Sequence, residues 1–247
     1  MPPTKNVGWP WQALARLGES ETKLTDPLHD LPMTHLDARL CRVKLLAIGL
    51  TGLFALAPSS AAGFQGRISK TLPTDLEHSW RAGCPVGPSQ LRRLDVSYWG
   101  FDRKRHVGSL VVHSSAAKGV VSVFRRLYGA RFPIRRLRLI EAYRGSDDAS
   151  MAADNTSGFN CRRVPGSARW SAHASGLAID INPLENPFVH DGIVEPPAAR
   201  RFLDRSDRRR GMVVAGDVVV RAFAAIGWRW GGRWSTPDYQ HFSATGG

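Results

Sequence analysis

The chain has 247 residues, 43% of them hydrophobic and 22% charged, which suits one globular domain with a full core or two small ones and excludes a fibrous or low-complexity protein. Its formal net charge of +13 points to a polyanionic environment: nucleic acid, an anionic membrane surface or the acidic polymers of a cell wall.

Residues 1–38 contain several prolines, mix both charges and show weak periodicity, so no structure is expected there. The only long apolar stretch is Leu45–Ala57. It follows Arg39, Arg42 and Lys44 and leads into Pro58-Ser59-Ser60-Ala61-Ala62-Gly63. A basic region, a short apolar run and small residues at cleavage spacing describe a secretory signal at 39–62, with an uncleaved N-terminal anchor as the alternative. Signals begin near the start of a chain, so Met33 is the expected true start and the preceding residues an over-extended one. Removing residues 1–62 takes away six basic and five acidic residues and leaves a net +12, so the basicity belongs to the exported part. Its arginine clusters (Arg125-Arg126, Arg135-Arg136, Arg208-Arg209-Arg210) are scattered and not interleaved with aromatics. That pattern argues against nucleic-acid recognition and fits attraction to anionic wall polymers.

Of three cysteines, Cys41 lies in the signal. Cys84 and Cys161 remain and are expected to pair in an oxidising compartment. Two buried thiols, or Cys161 as a metal ligand, are the alternatives; no CxxC spacing supports the latter.

Residues 63–90, broken by Pro73, Gly83 and Pro85, read as a lead-in segment that wraps the domain and is stapled by Cys84. The main domain is expected over 91–247. Leu91–Trp99 and Val107–His113 read as strands. Ser114 and Ser115 are the expected caps of a helix through Tyr128, with Val120, Val121, Phe124 and Leu127 at helical spacing and Gly129 at its end. Leu137–Tyr143 alternates as a third strand, and a long loop from Gly145 to Arg169 follows. Its Asp, Asn and Ser content marks an ordered loop beside a site. An irregular region runs from Pro183 to about Gly211, then a helix over Asp217–Ile226 closed by Gly227. Short strands and separated helices indicate an α+β domain with a small, mostly antiparallel sheet and flanking helices.

Two motifs carry the chemistry. Ser171-Ala172-His173-Ala174-Ser175-Gly176-Leu177-Ala178-Ile179-Asp180 places an imidazole in a small-residue turn and a carboxylate on the strand after it. Imidazole and carboxylate leave zinc Lewis-acidic with room for a water. Near the other end, Asp238-Tyr239-Gln240-His241 supplies a third ligand, His241, and a second carboxylate. In a regular strand residues 238 and 241 point to opposite faces, so a bend, expected at Pro237, is needed to bring both to one site. One Zn2+ on His173, Asp180 and His241 would keep an open position, with Asp238 as general base and then acid. His78, His106 and His190 carry no such pattern, and His113 ends an apolar strand.

These motifs, Ser-x-His-x6-Asp and Asp-x-x-His, resemble those of the zinc D-alanyl-D-alanine carboxypeptidases and dipeptidases. That family includes L-alanyl-D-glutamate endopeptidases and shares its fold with the Hedgehog signalling domain. The resemblance spans roughly Leu94 to Phe242. It implies zinc on His173, Asp180 and His241, Asp238 as base, and Ser171 as a substrate-binding hydroxyl. The family's Tyr-Arg pair at a strand end corresponds to Tyr143-Arg144, whose arginine would polarise the scissile carbonyl. Gly145 departs from the Pro or Ser that often follows, and the loop from Asp147 to Arg162 is longer than in the dipeptidases, which makes Arg162 a rival for that role. The implied activity is hydrolysis of an amide bond in peptidoglycan peptides by a secreted or wall-associated monomer. Which bond is cut, and whether at a chain end or internally, stays open. The competing reading is a non-catalytic wall-binding or signalling domain with a structural zinc, which would need neither a base nor an open position.

Overall fold

A computed structural model of the protein describes residues 63–246, which fall within a single compact unit. The expected signal at 39–62, the start at Met33 and Cys41 lie outside the described residues.

Three strands form the larger sheet in the order β1 (Gly66–Lys70), β2 (Leu91–Trp99), β3 (Arg105–His113), all antiparallel. The alternation of apolar side chains along β3 sends Leu110 and Val112 to one face and Val111 to the other. The first face is covered by α1 (Ala117–Gly129), whose Val120, Val123, Phe124 and Leu127 fall at i, i+3, i+4 and i+7 and are all buried. The second face is covered by the lead-in segment, through Leu76 and Val86 packed with Leu91, Val111, Phe159 and Cys161. The expected staple is present: Cys84 and Cys161 form a disulfide across 77 residues. The lead-in also contributes β1, which its sequence did not suggest. Only one of the five β1 residues is even half-buried, so the strand is held by its pairing with β2 rather than by an apolar pattern.

Three expectations need correction. The cap of α1 is Ala116, not Ser114 or Ser115; Ser115 Oγ is taken by His113 Nδ1 at 2.7 Å. The expected strand Leu137–Tyr143 shrinks to β4 (Arg136–Leu137), followed by a 3₁₀ turn over Ile140–Tyr143. Arg144 ends that turn with a left-handed backbone, φ 53°, which a continuing strand cannot accommodate. The long loop is partly regular. It holds α2 (Asp147–Ala152), capped by Ser146, and β5 (Asn155–Thr156), which pairs in parallel with β4.

The smaller sheet has the order β6 (Ala178–Asp180), β10 (His241–Ser243), β9 (Arg229–Trp230), again antiparallel. It is backed by α3 (Val218–Ala224), whose Phe223 stacks on Phe242 at 4.1 Å. Asp217 caps α3 by accepting the Val220 N–H. Between β6 and α3 the irregular region contains the hairpin β7 (Phe188–His190) and β8 (Ile193–Glu195), then a 3₁₀ turn over Pro197–Phe202. The architecture is α+β, with small antiparallel sheets and few helices, as expected. Among the described residues no helix is long and apolar enough to cross a membrane.

Candidate metal centre and active site

The two motifs meet through strand pairing. In the β6–β10 ladder His241 lies directly opposite Asp180, so their side chains project from neighbouring positions on the same face. His173 reaches the same point from the 3₁₀ turn Ala172–Ser175 just before β6. Ser171 caps that turn, its Oγ accepting the His173 N–H at 3.3 Å. Gly176 closes it with φ +67°. A Cβ on Gly176 would sit 2.6 Å from the His113 nitrogen, whose N–H is bonded to Gly176 O at 2.8 Å, so only glycine lets the turn dock on the end of β3.

Asp238 belongs to the segment before β10, where it bridges to Phe188. The bend that the Asp-x-x-His motif requires falls at Tyr239–Gln240 rather than at Pro237. The His241 N–H reaches back to Asp238 O at 3.3 Å, and the Trp230 indole N–H fixes Tyr239 O at 2.8 Å. Gly231 makes the approach possible, since a Cβ there would come within 2.7 Å of Asp238 O.

His173, Asp180 and His241 are all buried, and their ligand atoms lie within 4.8 Å of one another. His173 Nε2 is 3.0 Å from Asp180 Oδ2 and 3.2 Å from His241 Nδ1, and His241 Nδ1 is 3.0 Å from Asp180 Oδ1. Ligands bound to zinc at about 2.0–2.1 Å in a tetrahedron stand roughly 3.3 Å apart, so the trio is close to a coordinating arrangement. The other ring nitrogen of His173, Nδ1, is bonded to Gly158 O at 2.7 Å. A carbonyl only accepts, so Nδ1 carries the proton and Nε2 offers a lone pair to the metal, the orientation that backbone partners give metal-binding histidines. The donor set therefore fits zinc.

The electrostatics agree. Despite burial, the Asp180 carboxyl is held far below the usual range by His173 and His241, and the same carboxylate raises His173. Asp238 behaves oppositely: burial pushes it up to about 7, with Asp180 and Asp147 adding to the rise and His241 and Arg162 opposing it. Its Oδ1 is buried and has no hydrogen-bond partner among the described residues.

A cavity of about 730 Å³ opens over these groups, and Ser171, His173, Asp180, Asp238 and His241 all line it. Trp170 and Trp234 give it apolar walls, and Phe188 and Glu195, a directly paired couple of the β7–β8 hairpin, form another side. Arg162 lines it too; Arg144 does not, and its side chain is exposed at the end of its turn. Arg162 Nη2 pairs with Asp147 Oδ2 at 2.7 Å, and its Nε is buried and unpartnered. Asp147 is the functional neighbour that sequence reasoning missed. Asp147-Asp148 stood out in the loop, but no spacing rule connects residue 147 to residue 162; the first turn of α2 and the disulfide-anchored segment bring them together. Gly158, whose contribution is a backbone carbonyl, carries no sequence signal at all.

A family model described as D-alanyl-D-alanine carboxypeptidase matches residues 165–244. The match contains Ser171, His173, Asp180, Asp238 and His241 and stops short of Asp147 and Arg162. It supports kinship with that peptidase family coarsely, without singling out a member. No curated protein and no solved structure matches the chain.

Proposed function

We propose that this protein is an exported zinc peptidase that hydrolyses an amide bond in peptidoglycan stem peptides. The observation that carries the reading is the half-buried Asp238, whose Oδ1 is buried and unpartnered, on the wall of a cavity that also exposes the His173–Asp180–His241 cluster. A purely structural metal site has no use for a base held beside it.

Zinc on these three side chains would supply Lewis acidity and lower the pKa of a water toward about 7. The chain's own residues do the rest. Asp238, poised at about 7, accepts a proton from the attacking water and returns it to the leaving amine. Gly158 keeps His173 in the tautomer that presents Nε2. Arg162, paired with Asp147, lines the cavity and supplies a cation to the negative charge that develops on the scissile carbonyl oxygen. The exposed Arg144 is off this cavity, so the carbonyl-polarising role goes to Arg162. Ser171 uses its oxygen as an acceptor toward the His173 N–H, which leaves its O–H free to donate to substrate.

The cavity lies within the range of about 300–1,000 Å³ that encloses drug-sized ligands, more than a terminal dipeptide fills. This favours an internal bond of a longer stem peptide over removal of a terminal D-alanine. A disulfide between Cys84 and Cys161 is consistent with an oxidising compartment, and the basic exported part with an anionic wall. The chain is proposed to act there as a monomer.

The test is digestion of purified cell wall by the zinc-loaded protein, followed by mass spectrometry. Fragments cut inside the stem peptide are expected. Release of D-alanine alone would move the assignment to a carboxypeptidase, and intact wall would overturn the peptidase reading.

A further inference from the structure

A second cavity, of about 220 Å³, is lined by Trp99, Gly100, Arg103, Arg131 and Arg210. Three segments far apart in sequence each bring one arginine: the β2–β3 turn, the residues just after α1, and the loop before α3. No carboxylate lines it. The acids nearest in sequence are committed elsewhere, Asp102 to His106 at 3.0 Å and Asp207 to Arg209 at 2.6 Å. Arg103, Arg131 and Arg210 have no ion-pair partner among the described residues.

The cavity is held open by contacts of its own. Arg210 Nη1 donates to Phe101 O at 2.9 Å, and the neighbouring Gly211 O accepts from buried Asn182 Nδ2 at 3.1 Å. The Trp99 indole N–H is bonded to Tyr128 O at 3.0 Å, and the Arg131 guanidinium lies 5.2 Å over its ring. Arg103 and Arg131 also occupy left-handed backbone, φ 61° and 53°. That region disfavours any residue with a Cβ outside Asn and Asp, so arginine is held there at a conformational cost. Three arginines without an ion-pair partner, two of them in left-handed backbone, lining one preformed hollow describe an anion site.

We propose that this cavity binds a phosphoryl group of a polyol-phosphate polymer and so anchors the enzyme on an anionic wall. Guanidinium forks suit phosphate oxygens, and the volume takes one phosphoryl group with part of its polyol. A nucleic acid fits less well. The one aromatic ring in the lining already has Tyr128 stacked on it at 5.6 Å and Arg131 over it, so no platform is left for a base. The anchoring role rests on the wall-peptidase reading; the binding itself does not.

The test is calorimetric titration of the purified protein with poly(glycerol phosphate) at fixed ionic strength. The triple variant Arg103→Gln, Arg131→Gln, Arg210→Gln should bind at least tenfold more weakly than the wild type. A control triple at exposed positions outside the cavity, Arg67→Gln, Arg200→Gln, Arg229→Gln, removes the same charge and should change binding less than threefold. Should the first triple not fold, Arg131→Gly accepts φ 53° without strain and should weaken binding alone. Equal losses in both triples, no binding by the wild type, or tighter cavity-dependent binding of single-stranded DNA would each overturn the proposal. Hydrolysis of a soluble stem peptide should be unchanged in both triples, so failure of the peptidase reading shows in that assay alone.

Discussion

The two antiparallel sheets of this protein are built for different purposes. The β1–β3 sheet has two nine-residue strands, and its faces carry the apolar side chains that α1 and the lead-in segment bury. The β6–β10–β9 sheet has strands of two and three residues, and together with the turn before β6 it buries two histidines and a carboxylate in direct contact. The first sheet supplies stability from area removed from water. The second, with the turn before β6, takes a carboxylate and two imidazoles out of water at a cost in stability, in a cluster with the spacing of metal ligands. Asp180 and His241 sit on short strands backed by Phe223 and Phe242, His173 sits on the turn that leads into β6, and all three line the cavity.

This division of labour can be broken from either side. Phe124→Ala should cost about 3–5 kcal/mol in chemical denaturation while leaving zinc stoichiometry and hydrolysis by the folded fraction unchanged. Asp238→Asn should do the reverse: kcat falls by about 10²–10⁴-fold, zinc stays bound by metal analysis, and overall stability of the loaded protein holds. A comparable loss of activity in Phe124→Ala after correction for unfolding would erase the distinction.

The comparison sharpens at the two arginines. Arg162→Lys should lower kcat on a soluble stem peptide by about 10²-fold, because lysine lacks the fork that serves Asp147 and substrate together. Arg144→Ala should leave kcat within about twofold, as expected of an exposed residue away from the cavity. An inverted result would return the carbonyl-polarising role to Arg144.

A separate effect is expected on metal-free stability. Asp238 titrates near 7 when folded and near 3.8 when unfolded, so its protonated form favours the folded state. Its contribution is complete below pH 3.8 and is lost as pH rises through about 7. The metal-free Asp238→Asn variant should therefore match the wild type at pH 3.5 and exceed it at pH 8, by on the order of 4 kcal/mol in chemical denaturation. Equal stabilities at pH 8 would show that burial does not hold Asp238 protonated.

Where local pattern and local structure share a period, the sequence was readable. The apolar spacing of Val120, Phe124 and Leu127 predicted α1, Asp217 and Gly227 bracketed α3, and the alternation in Leu91–Trp99 matched β2. It failed at Leu137–Tyr143, of which only Leu137 is strand before a turn over Ile140–Tyr143 that ends on the left-handed Arg144. It failed again at β1, where pairing with β2 alone makes the strand.

The chemistry followed the same rule. Residue type and spacing singled out His173, Asp180, Asp238 and His241 as candidates, because coordination demands particular donors, and the structure brings His173, Asp180 and His241 together. Their convergence came from the β6–β10 register and from the bend at Tyr239–Gln240, which are properties of backbone pairing between segments 61 residues apart. The placement of Arg162 and not Arg144 on the cavity, its pairing with Asp147, and the orientation of His173 by the Gly158 carbonyl likewise arise only in three dimensions. A side chain's donor chemistry is written in one residue; the direction it points depends on what packs against it.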